Sequence, residues 1–168
     1  MDFYNIKDEY IRYLRGYDSK VLFNKKESRP YIGIVLSVNE IQYYAPLTSP
    51  KPKHIKMRQG KDFRKIGGGR YGAINFNNMI PVPDEVIIKI NIREIADEDY
   101  RRLLQNQYRE IQSDTEIIKR TAEKLRDLVY TSDEELSSYD RQIKNRCCNF
   151  SLLEAVYMDY KAPAIEEF

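Results

Sequence analysis

The sequence predicts an α+β fold with a strand-rich first half and a helical second half around one core. Three observations carry this reading. Up to about residue 90, apolar residues cluster in short runs bounded by Asn, Pro and Gly. From Asp97 onward they recur at spacings of three and four. The chain of 168 residues, 42% of them hydrophobic, is the length of one domain, spanning 1–168, and can bury one core.

The elements follow in order. Phe3-Tyr4-Asn5-Ile6 reads as a short strand. Asp8 then caps a helix of one to two turns that presents Tyr10, Tyr13, Leu14 and Tyr17. Residues 18–30 are a polar, basic connection. Tyr31 to Val38 is a buried strand, and Asn39-Glu40 turns it into a second strand from Ile41 to Ala45. After a basic segment come Tyr71 to Phe76, Met79-Ile80 and Val86 to Ile90, where Pro81 and Pro83 confine pairing to edges and turns. Asp97 caps a helix striped by Tyr100, Leu103, Leu104, Tyr108 and Ile111. Ser113-Asp114-Thr115-Glu116 is a capping box for a second helix, with Ile117, Ile118, Leu125, Leu128 and Val129 inward. Ser151-Leu152-Leu153-Glu154 opens a third, ending near Tyr160.

Several function classes fall away. No apolar run approaches the roughly 18 residues of a membrane span, and the opening Met1-Asp2-Phe3-Tyr4 lacks the basic, apolar character of a signal peptide. Cys147 and Cys148 are adjacent and cannot make a disulfide framework, so a reducing cytoplasm is the expected compartment. One His, two vicinal Cys and no carboxylate cluster leave no metal site, and no cofactor is expected. There is no Gly-x-Ser-x-Gly elbow and no phosphate-loop spacing around Gly67-Gly68-Gly69. Glu134-Glu135 reads as an exposed acidic helix start.

The formal net charge of +2 conceals a division along the chain. Residues 51–70 hold eight bases (Lys51, Lys53, Lys56, Arg58, Lys61, Arg64, Lys65, Arg70) against the single acid Asp62. Such a segment is either a solvated surface loop or a field that concentrates a polyanion. Pro50 and Pro52 stiffen its start, the three glycines permit close backbone approach and let the loop order on binding, and Tyr71 closes it. A basic groove with aromatics nearby, here Tyr71 and Tyr10, suits single-stranded nucleic acid, whose phosphates take Lys and Arg and whose bases stack on rings.

The densest polar cluster is Pro46-Leu47-Thr48-Ser49-Pro50-Lys51-Pro52-Lys53-His54. It reads either as a strand-end turn with local hydroxyl bonds or as a phosphate seat, with hydroxyl and N–H donors and a lysine facing a developing phosphorane charge.

At these residues the sequence resembles the type III toxin–antitoxin endoribonucleases of the ToxN/AbiQ family. The resemblance rests on Phe3-Tyr4 with Tyr10-Ile11 and Tyr13-Leu14, on Ile32-Gly33-Ile34-Val35-Leu36, on Tyr44-Ala45-Pro46-Leu47-Thr48-Ser49-Pro50-Lys51, and on Cys148-Asn149-Phe150-Ser151-Leu152-Leu153-Glu154. Ile74-Asn75-Phe76 with Met79-Ile80-Pro81 is a weaker fifth segment. It implies a compact antiparallel, barrel-like sheet distantly like the Kid/MazF toxins, with flanking helices. It also implies metal-independent cleavage of mRNA by the adjacent ribose hydroxyl, and inhibition by a cognate small RNA, a pseudoknotted repeat that the toxin processes and with which it closes into a hetero-oligomer. Family catalytic positions fall on Thr48, Ser49 and Lys51, and a basic position before the long strand falls on Arg29, where relatives carry Lys. A tyrosine that some relatives carry in the catalytic loop has no counterpart in residues 18–30, which hold Phe23 instead.

On this mapping Lys51 and Arg29 stabilise charge while Thr48 and Ser49 position the phosphate. Arg29 stays protonated and cannot be a base. Lys51 could serve as one if its neighbours lowered its pKa from about 10.4, and His54 is the alternative proton shuttle. Lys53, Lys56, Arg58, Lys61, Arg64, Lys65 and Arg70 are expected to hold RNA. A non-catalytic RNA-binding regulator and a toxin restrained by a protein antitoxin are the competing readings.

Overall fold

The computed structural model describes residues 1–164. The first half forms a sheet of β1 (Asp2–Ile6), β2 (Tyr31–Val38), β3 (Ile41–Thr48), β4 (Phe63–Lys65), β5 (Ala73–Asn75), β6 (Ile80–Pro81) and β7 (Ile87–Lys89). All pairings are antiparallel, in the order β4-β5-β3-β2-β1-β7, and β6 joins the outer edge of β3 near its start. The long hairpin β2–β3 turns at Asn39 and Glu40, both at positive φ, as a tight two-residue hairpin requires. Helix α1 (Asp8–Arg15) follows β1, and the short α2 (Pro52–Lys56) follows β3. The second half holds α3 (Glu98–Ser113), α4 (Thr115–Tyr130), α5 (Ser138–Arg146) and α6 (Phe150–Val156).

One buried cluster joins the halves: Ile32, Val35, Tyr43 and Ala45 of the hairpin share it with Leu104, Ile111, Ile118, Leu125, Phe150 and Leu153 of the helices. Glu154 pins α6 to α4 and the sheet. It accepts from the Tyr43 hydroxyl at 2.6 Å, from Arg126 at 2.8 and 3.0 Å, and from the Tyr130 hydroxyl. Burial alone would raise the Glu154 pKa, yet these donors hold it below the usual carboxylate value. No helix among the described residues is long and apolar enough to cross a membrane.

Local details depart from the sequence expectations where a side chain finds a tertiary partner. Asp8 opens α1 but does not cap it; its carboxylate accepts from Asn24 Nδ2 at 2.6 Å and from the Glu27 N–H at 3.1 Å, tying down residues 18–30. Helix α4 starts where expected but without the capping box, because Asp114 faces Arg64 and Ser113 donates back to the Arg109 carbonyl. Ile117 is 45% exposed rather than inward, and Tyr100 and Tyr108 sit on the open flank of their stripe. Helix α5 has no counterpart in the sequence reading, since Ile143 is its one buried residue. The last helix begins at Phe150, capped by Asn149, and a 3-10 turn over Tyr157–Asp159 follows it. Glu134 and Glu135 lie in an exposed 3-10 turn. The expected domain runs to Phe168, and residues 165–168 lie outside the described ones.

Candidate active site

Sheet register assembles the site from distant segments. Strand β2 pairs Tyr31 with Pro46, so continuing the ladder by two residues sets Arg29 opposite Thr48. The Leu47 N–H donates to the Pro30 carbonyl at 2.9 Å and holds those ends together. On the other edge of β3, Thr48 pairs with Ala73, which places Asn75 diagonally on the same face. There Asn75 Nδ2 donates to Thr48 Oγ1. Because the amide supplies the proton, the Thr48 hydroxyl keeps its own hydrogen for another acceptor.

Past Thr48 the chain turns through Ser49 and Pro50 into α2, opened by Pro52, whose missing N–H costs nothing in a first turn. His54 is buried at 1% exposure, its ring 5.8 Å from that of Phe63. Its Nδ1 accepts from the Lys51 N–H at 3.2 Å. Burial first, then Lys53 and Lys51, lower its pKa, so it stays neutral at neutral pH with its proton on Nε2. That tautomer leaves neither nitrogen as a free base and gives the ring a structural task, fixing the Lys51 backbone.

Two glycines press this segment into shape from behind. Gly72 has φ +91°, and a Cβ there would lie 2.0 Å from the Thr48 carbonyl oxygen. Gly69 has φ +95°, and a Cβ there would meet the His54 carbonyl at 2.6 Å. Both positions demand glycine on two counts, conformation and space. Within the glycine run Gly67, Gly68 and Gly69 all have positive φ, and the turn they form buries Gly69 while Gly68 stays exposed.

Arg29, Thr48, Ser49, Lys51 and His54 line one cleft of about 560 Å³, together with Lys53. Lys25, Asn75, Asn77, Asn78 and Arg146 also line it and were not singled out from the sequence. Asn75 carried a signal, since it belongs to the fifth family-like segment; the others carried none. Arg29 donates through Nε to the Phe23 carbonyl at 2.8 Å, and burial lowers its pKa without discharging it. Among the described residues Lys25, Arg29, Lys51 and Lys53 make no salt bridge. Arg146 is held by the buried Asp62 at 2.6 and 3.0 Å.

The remaining expected RNA contacts scatter. Lys56 and Arg58 are exposed and lie off the cleft. Lys61 pairs with Asp140 at 2.7 Å and Arg64 with Asp114 at 2.8 Å, so acids of the helical half answer them. Lys65 Nζ reaches the Ile55 carbonyl at 3.3 Å. Arg70 lies 5.6 Å over the half-buried Tyr71 ring. Tyr10 is corrected outright: it has no exposed surface, and its hydroxyl donates to the Pro81 carbonyl, so the spacing that suggested a stacking surface marks a core face. Cys147 and Cys148 are buried free thiols, and burial pushes Cys147 up to about 12 and Cys148 higher still. Among the described residues no three His, Cys, Asp or Glu side chains converge.

Two hydroxyls at a strand exit, ringed by unpaired cations, form the kind of site that seats a phosphodiester. The chain belongs to the ToxN family: residues 2–158 match the family described as Toxin ToxN, type III toxin-antitoxin system. It is 36% identical over 163 residues to the endoribonuclease ToxN of Bacillus thuringiensis subsp. kurstaki, covering 95% of this chain and 84% of that protein. It is 31% identical over 165 residues to the endoribonuclease AbiQ of Lactococcus lactis subsp. lactis, covering 91% and 85%. A solved structure described as a type III system with selective toxin inhibition by a non-coding RNA pseudoknot superposes with TM-score 0.84 at 34% identity, covering 96% of this chain and 98% of that one. A second, described as a bacterial antiviral system regulated by a processed non-coding RNA, gives TM-score 0.79 at 30% identity, covering 96% and 100%.

Proposed function

We propose that this chain is a cytoplasmic endoribonuclease toxin that cleaves mRNA without a metal and is held inactive by a cognate small RNA. The observation that carries this reading is the convergence of Arg29, Thr48, Ser49 and Lys51 on one cleft. In the proposed reaction the ribose 2′-oxygen attacks the adjacent phosphorus. The P–O2′ bond forms, the P–O5′ bond breaks, the 2′-hydroxyl loses its proton and the departing O5′ gains one. The products are a 2′,3′-cyclic phosphate and a 5′-hydroxyl. Negative charge accumulates on the phosphorane oxygens, so fixed donors aimed at them accelerate the step. Thr48 and Ser49 donate hydroxyl hydrogens, and Lys51 and Arg29 bring positive charge. His54 acts through Lys51 by holding its N–H.

The same chemistry would process a repeat precursor of the inhibitory RNA, which then occupies the cationic cleft and closes a protein–RNA assembly. Labelled RNA incubated with the purified protein in excess EDTA tests the reading, and cyclic-phosphate and 5′-hydroxyl ends are expected. RNA that is shifted but uncut would instead mark a non-catalytic binder, and activity lost in chelator and restored by magnesium would contradict the mechanism. Copurification from the native locus should yield a repeat RNA; a small protein in its place would point to a protein antitoxin.

A further inference from the structure

The connection from α1 to β2 brings Arg29 to the cleft without a helix or strand of its own to hold it. Just before Arg29, three consecutive residues stand in the left-handed region: Lys25, Lys26 and Glu27, at φ +51°, +55° and +61°. None is Gly or Asn, the residues that adopt this conformation readily, and even those do so singly rather than in runs. A turn of this kind persists only where contacts from outside over-determine it.

Those contacts converge on Asp8, the first residue of α1. Its Oδ1 accepts from Asn24 Nδ2 at 2.6 Å and from the Glu27 N–H at 3.1 Å. Glu27 answers across the same 19 residues, its Oε1 accepting from the Asp8 N–H at 3.0 Å. Asn24 is 6% exposed and also donates to the Ile6 carbonyl at 2.6 Å, so its place is fixed. From there the constraint passes to Arg29. The Asn24 carbonyl accepts the Arg29 N–H at 3.2 Å, and the adjoining Phe23 carbonyl accepts Arg29 Nε at 2.8 Å. Phe23 has a second anchor in the Arg15 guanidinium, 3.6 Å over its ring. Loss of Asp8 would therefore loosen residues 24–29 rather than the whole connection.

We propose that Asp8, which does not line the cleft, is a positioning residue of the cleavage reaction, acting through Asn24 and the 25–27 turn to aim Arg29 at the scissile phosphate. The inference rests on the nuclease reading above and extends its machinery to a side chain on α1. Arg29 faces charge that develops in the transition state, so a misplaced guanidinium is felt in kcat more than in KM. A displacement of about 1 Å can cost on the order of 100-fold. If Asp8 only closed a surface loop, its removal would lower stability and leave the rate of the folded enzyme alone.

The test is steady-state cleavage of a short RNA oligonucleotide by the full chain, well below each variant's thermal midpoint. Asp8→Ala should lower kcat about tenfold or more and change KM by less than about threefold. Asp8→Asn keeps an accepting oxygen for Asn24 and Glu27 and should recover most of that loss. In an Arg29→Ala background the same Asp8→Ala change should cost less than about twofold, because nothing is left to aim. Glu27→Ala opens the reciprocal bond from the loop side, so it carries the test where Asp8→Ala does not fold. It should lower kcat severalfold, again only while Arg29 is present. Variants that melt earlier but keep the wild-type kcat would overturn the positioning role and leave the nuclease reading standing. So would a penalty of equal size with and without Arg29, or a loss confined to KM. A wild-type protein that cuts no RNA would overturn both readings at once.

Discussion

The basic segment of residues 51–70 is one stretch of charge in the sequence and two regions in the folded protein. In the first, from Lys51 to Arg58, no cation meets an acid among the described residues, and Lys51 and Lys53 open onto the cleft. In the second, Lys61 and Arg64 are answered by Asp140 and Asp114, so their charge is spent holding β4 and its approach to the helical half. Linear charge density is therefore a poor measure of surface field. What matters is whether the acids carried elsewhere in the chain fold back onto the bases. The helical half is acidic overall, and part of that acidity is used in this way.

The largest test of the division is catalytic. Ser49→Ala and Lys51→Ala should each lower cleavage roughly 100- to 1,000-fold, the usual loss when one donor to a developing oxyanion is removed. Lys61→Ala should leave the rate per folded molecule unchanged. Growth inhibition at matched expression, together with oligonucleotide cleavage, measures both. A Ser49→Ala protein as toxic as wild type would remove the hydroxyl from the proposed seat.

A smaller effect is expected where the first region meets the sheet. Asn75→Asp puts an acceptor where the amide now donates, so the Thr48 hydroxyl would turn toward the carboxylate and away from the phosphate. Activity should fall about 10- to 100-fold. The effects of Asn75→Ala and Thr48→Val should not add, since removing the hydroxyl leaves the amide nothing to orient. Full additivity in the double variant would show that Asn75 acts by some other route.

Much of this geometry was legible in the sequence, and the reasons for the rest are physical. The hairpin, Thr48, Ser49, Lys51 and His54 are contiguous or periodic, so local pattern exposes them. Arg29 came only by resemblance, because its place opposite Thr48 is set by register across the hairpin. Asn75 and Arg146 reach the cleft through pairings across 27 and 84 residues, which no local pattern records. Tyr10 misled because a tyrosine on a helical stripe looks the same whether it faces core or RNA. The capping box expected between Ser113 and Glu116 failed because the Ser113 hydroxyl donates back to the Arg109 carbonyl, and Asp114, which takes the N-cap place, is held by Arg64, 50 residues away.

The two regions should also separate in salt dependence. Removing one cation that touches a phosphate lowers the slope of log affinity against log salt by about 0.7–0.9. Neutralising Lys53, Lys56 and Arg58 together to Gln should reduce the slope for the inhibitory RNA by about 2–3. Neutralising Lys61 and Arg64 should change it by less than about 0.5 and instead lower the thermal midpoint by a few degrees, since partly exposed ion pairs contribute at most about 1 kcal/mol each. Equal slopes for the two variants would erase the distinction drawn from the ion pairs.

The smallest expected effect lies inside the first region, in the pH dependence of its scaffold. His54 is neutral when its Nδ1 accepts from Lys51, and protonating that nitrogen would break the bond. Its pKa in the folded protein lies below its ordinary value near 6.5, with burial the leading cause. Above pH 6.5 both folded and unfolded chains carry a neutral ring, and the stability it contributes is fully present. As the pH falls below 6.5 the unfolded chain binds a proton that the folded one resists, so that stability is lost as the pH descends through the lowered folded value. The loss cannot exceed about 1.4 kcal/mol per pH unit for a single group. His54→Asn offers an amide oxygen near the place of Nδ1 and does not titrate. Its thermal midpoint should therefore fall less than that of the wild type between pH 7 and pH 5, above the range where the carboxylates titrate. Parallel curves for the two proteins over that interval would mean that His54 is already solvated, and that the Lys51 backbone is held by the glycine turn alone.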